Sequence, residues 1–323
     1  MSTPPGSANA ALRGILNHPP SLATGPAADV LRRLDLAITR RLDGMLQGDY
    51  RGLVPGHGSE LGETRQYHPG DDVRRIDWNV TARMQTPHVR ETIADRELET
   101  WVVADLSASL GFGTADCEKR DLAVAAVAAV GYLTARTGNR VGAITLGGPN
   151  TAIIPAKSGR LNLQALLHQV VRTAKAEQPG ASDLAGTLQR LNGTMRRRGM
   201  AVIISDFLAP DGWERPLRVL GARHETLAIE IVDPRELELP DVGVLSVFDP
   251  ETGDVREVNT ANRKLRETYH REALAQRERI ARHIRAAGAD HLVLRTDSDW
   301  LLDLVRFVAL RRDRIESMAR TRT

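Results

Sequence analysis

Residues 99–109, ETWVVADLSAS, decide the fold, because an unbroken apolar run ends there in a carboxylate and two serines. A second stretch of the same kind, residues 200–206, reads MAVIISD and also ends in an aspartate. Strands that are apolar on both faces are typical of a parallel sheet covered by helices on each side. Both stretches therefore predict central strands of an α/β domain.

Strand and helix patterns alternate along the rest of the chain. Further strands are predicted at 88–97, 140–146, 151–156, 224–233 and 290–296, with a hairpin over 244–258. Helices are predicted at 29–47, 116–136, 159–175, 183–197, 211–221 and 260–287, with a closing helix from Ser298. This alternation implies crossover connections and a mainly parallel sheet with helices on both faces. We expect three parts: a disordered tail (1–28), an N-terminal helix with a Gly/Pro-rich segment (29–97), and the α/β domain with its inserted hairpin and C-terminal helices (98–323).

The composition narrows the class of protein. Charged residues make up 26% of the chain and hydrophobic residues 41%, which is ordinary for a soluble globular protein. The single cysteine, Cys117, allows no disulfide within the chain, and no run approaches the ~20 apolar residues of a membrane span. We therefore expect a cytoplasmic protein. The net charge of +3 does not require nucleic acid, and acidic residues interleave with the arginines of 260–287, so nucleic-acid binding is not expected.

Polar residues follow the two apolar strands at the point where each strand ends. Asp105, Ser107 and Ser109 follow the first, Asp206 follows the second, and Ser182 and Asp183 precede a helix between them. Ligands of such sheets bind outside the carboxyl ends of the strands. Carboxylates and hydroxyls together suit a hard cation such as Mg²⁺. The alternative is that the same side chains cap the start of a helix.

These motifs, DLSAS, GASDL and IISD in that order, resemble the metal-ion-dependent adhesion site of von Willebrand factor A domains. Ser107 and Ser109 match the two serines that coordinate the ion directly in that family, and Asp105 and Asp206 match its two aspartates. Ser182 stands where that family has a threonine, and Asp183 or Thr187 could take its role. The resemblance implies a von Willebrand factor A-like fold and bound Mg²⁺, with Mn²⁺ or Ca²⁺ as alternatives.

Upstream, residues 67–83 read YHPGDDVRRIDWNVTAR. Together with DLSAS, this motif is similar to the bacterial family known as domain of unknown function 58. The resemblance covers roughly residues 50–300 and implies a partner, an AAA+ ATPase of the MoxR type. The motif predicts either a recognition surface or an internal ion-pair network with Trp78 buried. The residues concerned are Tyr67, Gly70, Asp71, Asp72, Arg74, Asp77, Trp78 and Arg83.

The expected function is a metal-dependent protein-binding module, an adaptor or co-chaperone of that ATPase, and not an enzyme. The chain contains no phosphate-binding loop ending in Gly-Lys-Ser/Thr, no HExxH and no GxSxG. The alternative is a metal-dependent hydrolase that uses the same strand-end site to activate a water molecule.

Overall fold

The structure, a computed structural model, describes residues 18–23, 25–45, 64–68, 73, 76–90, 98–147, 150–176, 182–248 and 254–320, with backbone alone at 43–45, 64–65, 90, 150 and 312–320. Its strands, in chain order, are β1 (Thr64–Gln66), β2 (His88–Arg90), β3 (Glu99–Asp105), β4 (Arg140–Gly147), β5 (Asn150–Lys157), β6 (Met200–Ser205), β7 (Glu225–Val232), β8 (Val244–Phe248), β9 (Val255–Asn259) and β10 (Asp290–Arg295). Its α-helices are α1 (Ala27–Met45), α2 (Trp78–Met84), α3 (Lys119–Ala135), α4 (Arg160–Lys175), α5 (Leu184–Thr194), α6 (Glu214–Arg223), α7 (Arg263–Ala286) and α8 (Trp300–Arg320).

Six of these strands form one sheet in the spatial order β10-β7-β6-β3-β4-β5. The first five run parallel, and β5 runs antiparallel to β4 at one edge. The two strands that the sequence singled out lie side by side at the centre, with Val103 of β3 opposite Ile203 of β6. The predicted α/β fold with a mainly parallel sheet is confirmed.

Helices cover both faces of the sheet, as the apolar strands require. Along β3, Val102 and Ala104 pack into a core that includes apolar side chains of α1, α3, α4 and α8. Trp101 and Val103 point the opposite way and join a second core with α5, α6 and α7. Because side chains alternate along a strand, one seven-residue strand supplies both layers.

The packed part of the chain begins before the predicted boundary at residue 28. Leu22 is buried, and its backbone N–H donates a hydrogen bond of 2.8 Å to Oδ1 of Asp121 on α3. Val30, Leu34 and Ile38 of α1 are also buried in the first core. The predicted amphipathic helix over 29–47 is therefore confirmed with bounds two residues earlier, and a short segment ahead of it packs on the domain.

Residues 64–90 contain a small substructure of their own. β1 pairs antiparallel with β2, and Ile76 makes an isolated bridge to Val89, which is buried. The seven-residue helix α2 starts at the N-cap Asp77, whose carboxylate accepts hydrogen bonds from the backbone N–H groups of Asn79 and Val80. The strand pattern predicted from residue 88 is observed as far as Arg90, and residues 91–97 lie outside the described part of the chain.

The C-terminal third contains the predicted hairpin and the long charged helix. β8 and β9 pair with each other alone, as a two-stranded sheet. On α7, ion pairs link Arg263 to Glu267 and Arg285 to Glu278, as expected for a solvated face. Within the described residues, no helix combines the length and the apolar character needed to cross a bilayer.

Candidate functional site

Asp105 is the last residue of β3, and its side chain is buried. One carboxylate oxygen, Oδ1, accepts a hydrogen bond of 3.1 Å from the backbone N–H of Ser107. The other, Oδ2, accepts one of 2.7 Å from the hydroxyl of Ser205, which ends the neighbouring strand β6. The carboxylate thus ties two strand ends together. Among the described residues these hydrogen-bond donors are neutral, so they give Asp105 no countercharge.

Ser107 and Ser109 lie on the turn that follows β3. Their hydroxyl oxygens are 3.1 Å apart, within hydrogen-bonding distance of each other. The next α-helix, α3, begins only at Lys119 and has Glu118 as its N-cap. Ser107 precedes a single 3₁₀ turn but makes no side-chain capping bond to it. Neither serine side chain therefore caps α3, and the two hydroxyls face each other beside Asp105; of the capping alternative, the structure shows the carboxylate of Asp105 accepting the backbone N–H of Ser107.

Asp206 follows β6, one strand away from Asp105, and its side chain is also buried. Its Oδ1 accepts a hydrogen bond of 3.1 Å from the backbone N–H of Leu208. Its Oδ2 lies 2.8 Å from Nζ of Lys119, the first residue of α3. The side chain of Lys119 is only 1% exposed, and its ammonium group also contacts the carboxylate of Glu236. The carboxylate of Asp206 is therefore already paired with a buried ammonium group.

Further charged side chains lie next to Lys119, around the carboxyl ends of β6 and β7. Arg277 of α7 donates hydrogen bonds of 2.7 Å to Glu236 and 2.9 Å to Glu230, and one of 3.0 Å to the backbone carbonyl of Asp206. Nε2 of His291 lies 2.7 Å from the second carboxylate oxygen of Glu230. This network fixes the loop after β6 to α3 and α7, so the carboxyl edge of the sheet is braced from both faces.

The two aspartates differ in how their charge is stabilised. Burial, with the nearby Asp206, raises the pKa of Asp105 to about 6, although hydrogen bonds from the serines oppose the shift. Burial also acts to raise the pKa of Asp206, but the ammonium group of Lys119 outweighs it and holds that pKa below its ordinary value. Burial opposes the charged form of Lys119, yet the attraction of Asp206 and Glu236 leaves its pKa raised. Of these two aspartates, Asp105 is therefore the one whose charge is less compensated.

Ser182 lies at the start of α5, which packs against β3 and β4. A crossover helix starts at the carboxyl edge of its sheet, so Ser182 belongs to the same edge as Asp105 and Asp206. It is buried, and its hydroxyl oxygen has no hydrogen-bond partner among the described residues. The two substitutes considered for it are occupied otherwise. Asp183 caps α5 by accepting a bond of 2.8 Å from the N–H of Gly186, and Thr187 lies inside the helix.

The donor set fits a hard cation on one side and not on the other. Around Asp105 stand a carboxylate, the hydroxyls of Ser107 and Ser109, and at the same edge the unpaired hydroxyl of Ser182, all oxygen ligands that Mg²⁺ or Ca²⁺ accepts. Oδ2 of Asp206 faces the ammonium group of Lys119, whereas both oxygens of Asp105 accept hydrogen bonds from neutral donors alone among the described residues. No group of three or more His, Cys, Asp or Glu side chains suited to a metal occurs in the described part of the chain. The bound Mg²⁺, Mn²⁺ or Ca²⁺ stays a prediction, with its donors gathered around Asp105.

The upstream motif is only partly described. Tyr67 is half-buried, Asp77 caps α2, and Arg83 is exposed. Trp78 is 71% exposed, so the ring is not buried, contrary to the alternative of an internal ion-pair network with Trp78 buried. The physical reason is that α2 has no buried residue and therefore provides no core for the ring. The remaining residues of the motif, Gly70, Asp71, Asp72 and Arg74, lie outside the described residues.

The charged network was missed at the level of sequence. Its signal was composition: the chain has four lysines, and Lys119 is one of them, at the start of an otherwise Ala- and Val-rich helix. Glu236 follows β7 in the stretch DPRE, residues 233–236, where Asp233 accepts hydrogen bonds from Thr114 and Thr296. The sequence therefore contains a rare lysine and a second strand that is followed by acidic residues, but no pattern in it indicates that the two are in contact.

A family model described as "Protein of unknown function DUF58" matches residues 63–279, two thirds of the chain. The chain belongs to this family. The matched range begins just before β1 and ends within α7, so the DUF58 region contains the upstream motif, Asp105, Lys119 and Asp206.

The relatives at high identity are described as uncharacterized proteins. Proteins of Mycobacterium tuberculosis and Mycobacterium bovis are each 54% identical over 300 residues, covering 91% of this chain and 94% of theirs. Among solved structures, the conserved hypothetical protein BatB from Bacteroides thetaiotaomicron has a TM-score of 0.45 at 13% identity, covering 69% of this chain and 99% of that one. The VWA domain of SpRpn10 has a TM-score of 0.37 at 12% identity, covering 64% and 93%.

Proposed function

We propose that this DUF58 protein is a metal-assisted protein-binding module whose contact face is the carboxyl edge of the sheet. The observation that carries the proposal is the environment of Asp105. Its carboxylate is buried, its hydrogen-bond donors in the described chain are neutral, and two serine hydroxyls stand beside it. A carboxylate in this state gains stability from a cation placed against it, which is the arrangement of a ligand-accepting metal site.

The residues of this edge hold the site in shape before any partner arrives. Ser205 fixes one oxygen of Asp105, and the backbone N–H of Ser107 fixes the other, so the carboxylate has a single orientation. The loop after β6 is held by Lys119 and Arg277. Because these contacts are buried, partner binding does not have to pay for ordering them. A bound divalent ion would offer an open coordination position to a carboxylate of the partner protein.

The partner that family membership favours is a MoxR-type AAA+ ATPase, with this chain as its adaptor or co-chaperone in the cytoplasm. Cys117 is a free thiol, as expected in a reducing compartment. The exposed Trp78 of the upstream motif supports a second contact, because exposed aromatic side chains are enriched at protein interfaces.

The test is the affinity of the purified chain for such an ATPase, measured by calorimetry in Mg²⁺. We compare wild type with Asp105→Asn, which keeps an oxygen for one hydrogen bond but removes the charge. Asp211→Asn is the matched control, because Asp211 is exposed on the loop that follows Asp206. We expect at least a roughly tenfold loss for Asp105→Asn alone, equivalent to about 1.4 kcal/mol. Equal affinities for all three proteins would refute a role for this site.

We further propose that the site does not catalyse a reaction. The hydroxyls of Ser107 and Ser109 hydrogen-bond to each other, and in the described chain no histidine bonds to either, so neither is paired with a base. A hydrolase would turn over generic phosphate or ester substrates in the presence of Mg²⁺ or Mn²⁺. Turnover by wild type that disappears in Asp105→Asn but persists in Asp211→Asn would favour the hydrolase alternative instead.

A further inference from the structure

Lys119 is a cation built into the proposed binding edge. Its side chain is 1% exposed, and its ammonium group lies 2.8 Å from Oδ2 of Asp206, whose other oxygen accepts the N–H of Leu208. A divalent ion that used Asp206, directly or through a water molecule, would therefore compete with the ammonium group for an occupied oxygen. It would also stand near a positive charge in a buried environment, where charges repel far more strongly than in water.

The position of Lys119 is fixed by the fold and does not depend on one weak contact. Lys119 is the first residue of α3, whose side chains fill the first core. Glu236, which follows β7 in the chain, contacts the ammonium group of Lys119. Glu236 is in turn held by Arg277 at 2.7 Å. The ammonium group cannot swing into solvent without breaking two ion pairs, so it is a permanent part of the edge.

The charges then explain what the site needs from a partner. Lys119 pairs with Asp206, whereas Asp105, next to the serine hydroxyls, has no cationic partner among the described residues. One carboxylate and neutral hydroxyls offset only half the charge of a divalent ion. A second carboxylate, brought by a partner protein, would complete the neutralisation.

We propose that Lys119 keeps the affinity of this edge for divalent ions low in the free protein, so that the ion and an acidic side chain of the partner bind together. This inference rests on the proposed function and adds its regulation. The coupling is reciprocal: the partner raises the affinity for the ion by the same factor by which the ion raises the affinity for the partner. Without the ammonium group, the ion would bind the free protein and the dependence on the partner would be lost.

The experiment measures Mn²⁺ binding to the full chain without a partner, from the electron paramagnetic resonance signal of free Mn²⁺. The variants are Lys119→Met, which is similar in length and uncharged, and Lys119→Arg, which keeps the charge. Lys157→Met is the control, because Lys157 is exposed and ends β5 opposite Val141, which lies at the start of β4 and so at the other edge of the sheet. We expect Lys119→Met to bind Mn²⁺ at least tenfold more tightly than wild type, and both other variants to match wild type.

A loss of folding in Lys119→Met is covered by a second variant and a second measurement. The double variant Lys119→Met/Glu236→Gln removes one positive and one negative charge together, so the net charge of the edge is unchanged while Asp206 loses its ammonium partner; it should also bind at least tenfold more tightly than wild type. Wild type alone is informative as well, because a dissociation constant below about 10 μM without a partner contradicts the inference. Equal Mn²⁺ affinity in wild type and the folded variants would also overturn it.

The outcome separates this inference from the proposed function. If wild type binds Mn²⁺ tightly while Asp105→Asn still weakens ATPase binding, Lys119 does not regulate the site but the binding module stands. If Asp105→Asn leaves ATPase binding unchanged, the proposed function fails whatever the Mn²⁺ affinities of the lysine variants are.

Discussion

Replacing Asp206 by asparagine should destabilise the protein strongly, although the change is nearly isosteric. The substitution leaves the ammonium group of Lys119 buried and short of one of its two carboxylates. Removing one member of a buried ion pair typically costs 3–5 kcal/mol, because the remaining charge is neither hydrated nor paired. Glu236 remains in contact, and the amide oxygen of asparagine can still accept the N–H of Leu208. We therefore expect the lower end of the range, about 3 kcal/mol.

Urea denaturation followed by circular dichroism measures this loss, and a fall in melting temperature of about 6–12 °C should accompany it. Asp211→Asn is the control, since an exposed aspartate should change stability by less than about 0.5 kcal/mol. Because the pKa of Asp206 is lowered in the folded state, its contribution is full above the ordinary aspartate pKa of 3.8. It is lost as the pH falls through the lower, folded-state pKa, so the two proteins should converge in acid.

A double-mutant cycle identifies the interaction itself. If the ion pair causes the loss, then adding Lys119→Met to Asp206→Asn should cost less than the sum of the single changes, by about 1 kcal/mol or more. A loss below about 1 kcal/mol for Asp206→Asn, or strictly additive effects, would refute the buried pair. In that case Asp206 would be free to act on the strand-end site, and the inference drawn for Lys119 would lose its basis.

Three further predictions concern other parts of the chain. Burial raises the pKa of Asp121 to about 6, so its contribution to stability is full below pH 3.8 and is lost as the pH rises through 6. Asp121→Asn loses one of the two backbone hydrogen bonds that the carboxylate accepts at every pH, but its stability relative to wild type should rise by about 1–2 kcal/mol between pH 4 and pH 7.5, measured by urea denaturation at both pH values. Trp78→Ala should leave the melting temperature unchanged because the ring is exposed, but should weaken binding to the ATPase about tenfold in calorimetry, whereas an unchanged affinity would exclude the ring from the interface. Leu22→Ala should cost about 2 kcal/mol in urea denaturation because Leu22 is buried, against less than about 0.5 kcal/mol for the exposed Leu36→Ala, and equal effects would mean that the segment does not pack.

The sheet could be predicted from sequence because its strands carry the signal themselves. A short run such as MAVII, residues 200–204, is apolar at every position and is typical of a strand that is buried on both faces. The boundary at residue 28 had no such support. Leu22 is a single large apolar residue among Pro, Ser, Ala and Gly. Its side chain packs into the first core, and its backbone N–H bonds to Asp121, 99 residues away. Periodicity cannot report a contact of that kind. The same holds for Trp78, whose exposure goes with a short helix, α2, that has no buried residue.

The candidate site likewise has one part that the sequence can predict and one part that depends on the fold. Asp105, Ser107 and Ser109 are neighbours in sequence, so a motif can predict them, and topology alone brings Asp206 beside them at adjacent strand ends. Lys119 is different, because its long side chain reaches a carboxylate 87 residues further along the chain. That contact decides how many free negative charges the edge presents. The motif alone predicts two aspartates for a metal ion, whereas the folded chain leaves one. Under the proposed function, the second carboxylate that a divalent ion needs is therefore supplied by the partner protein.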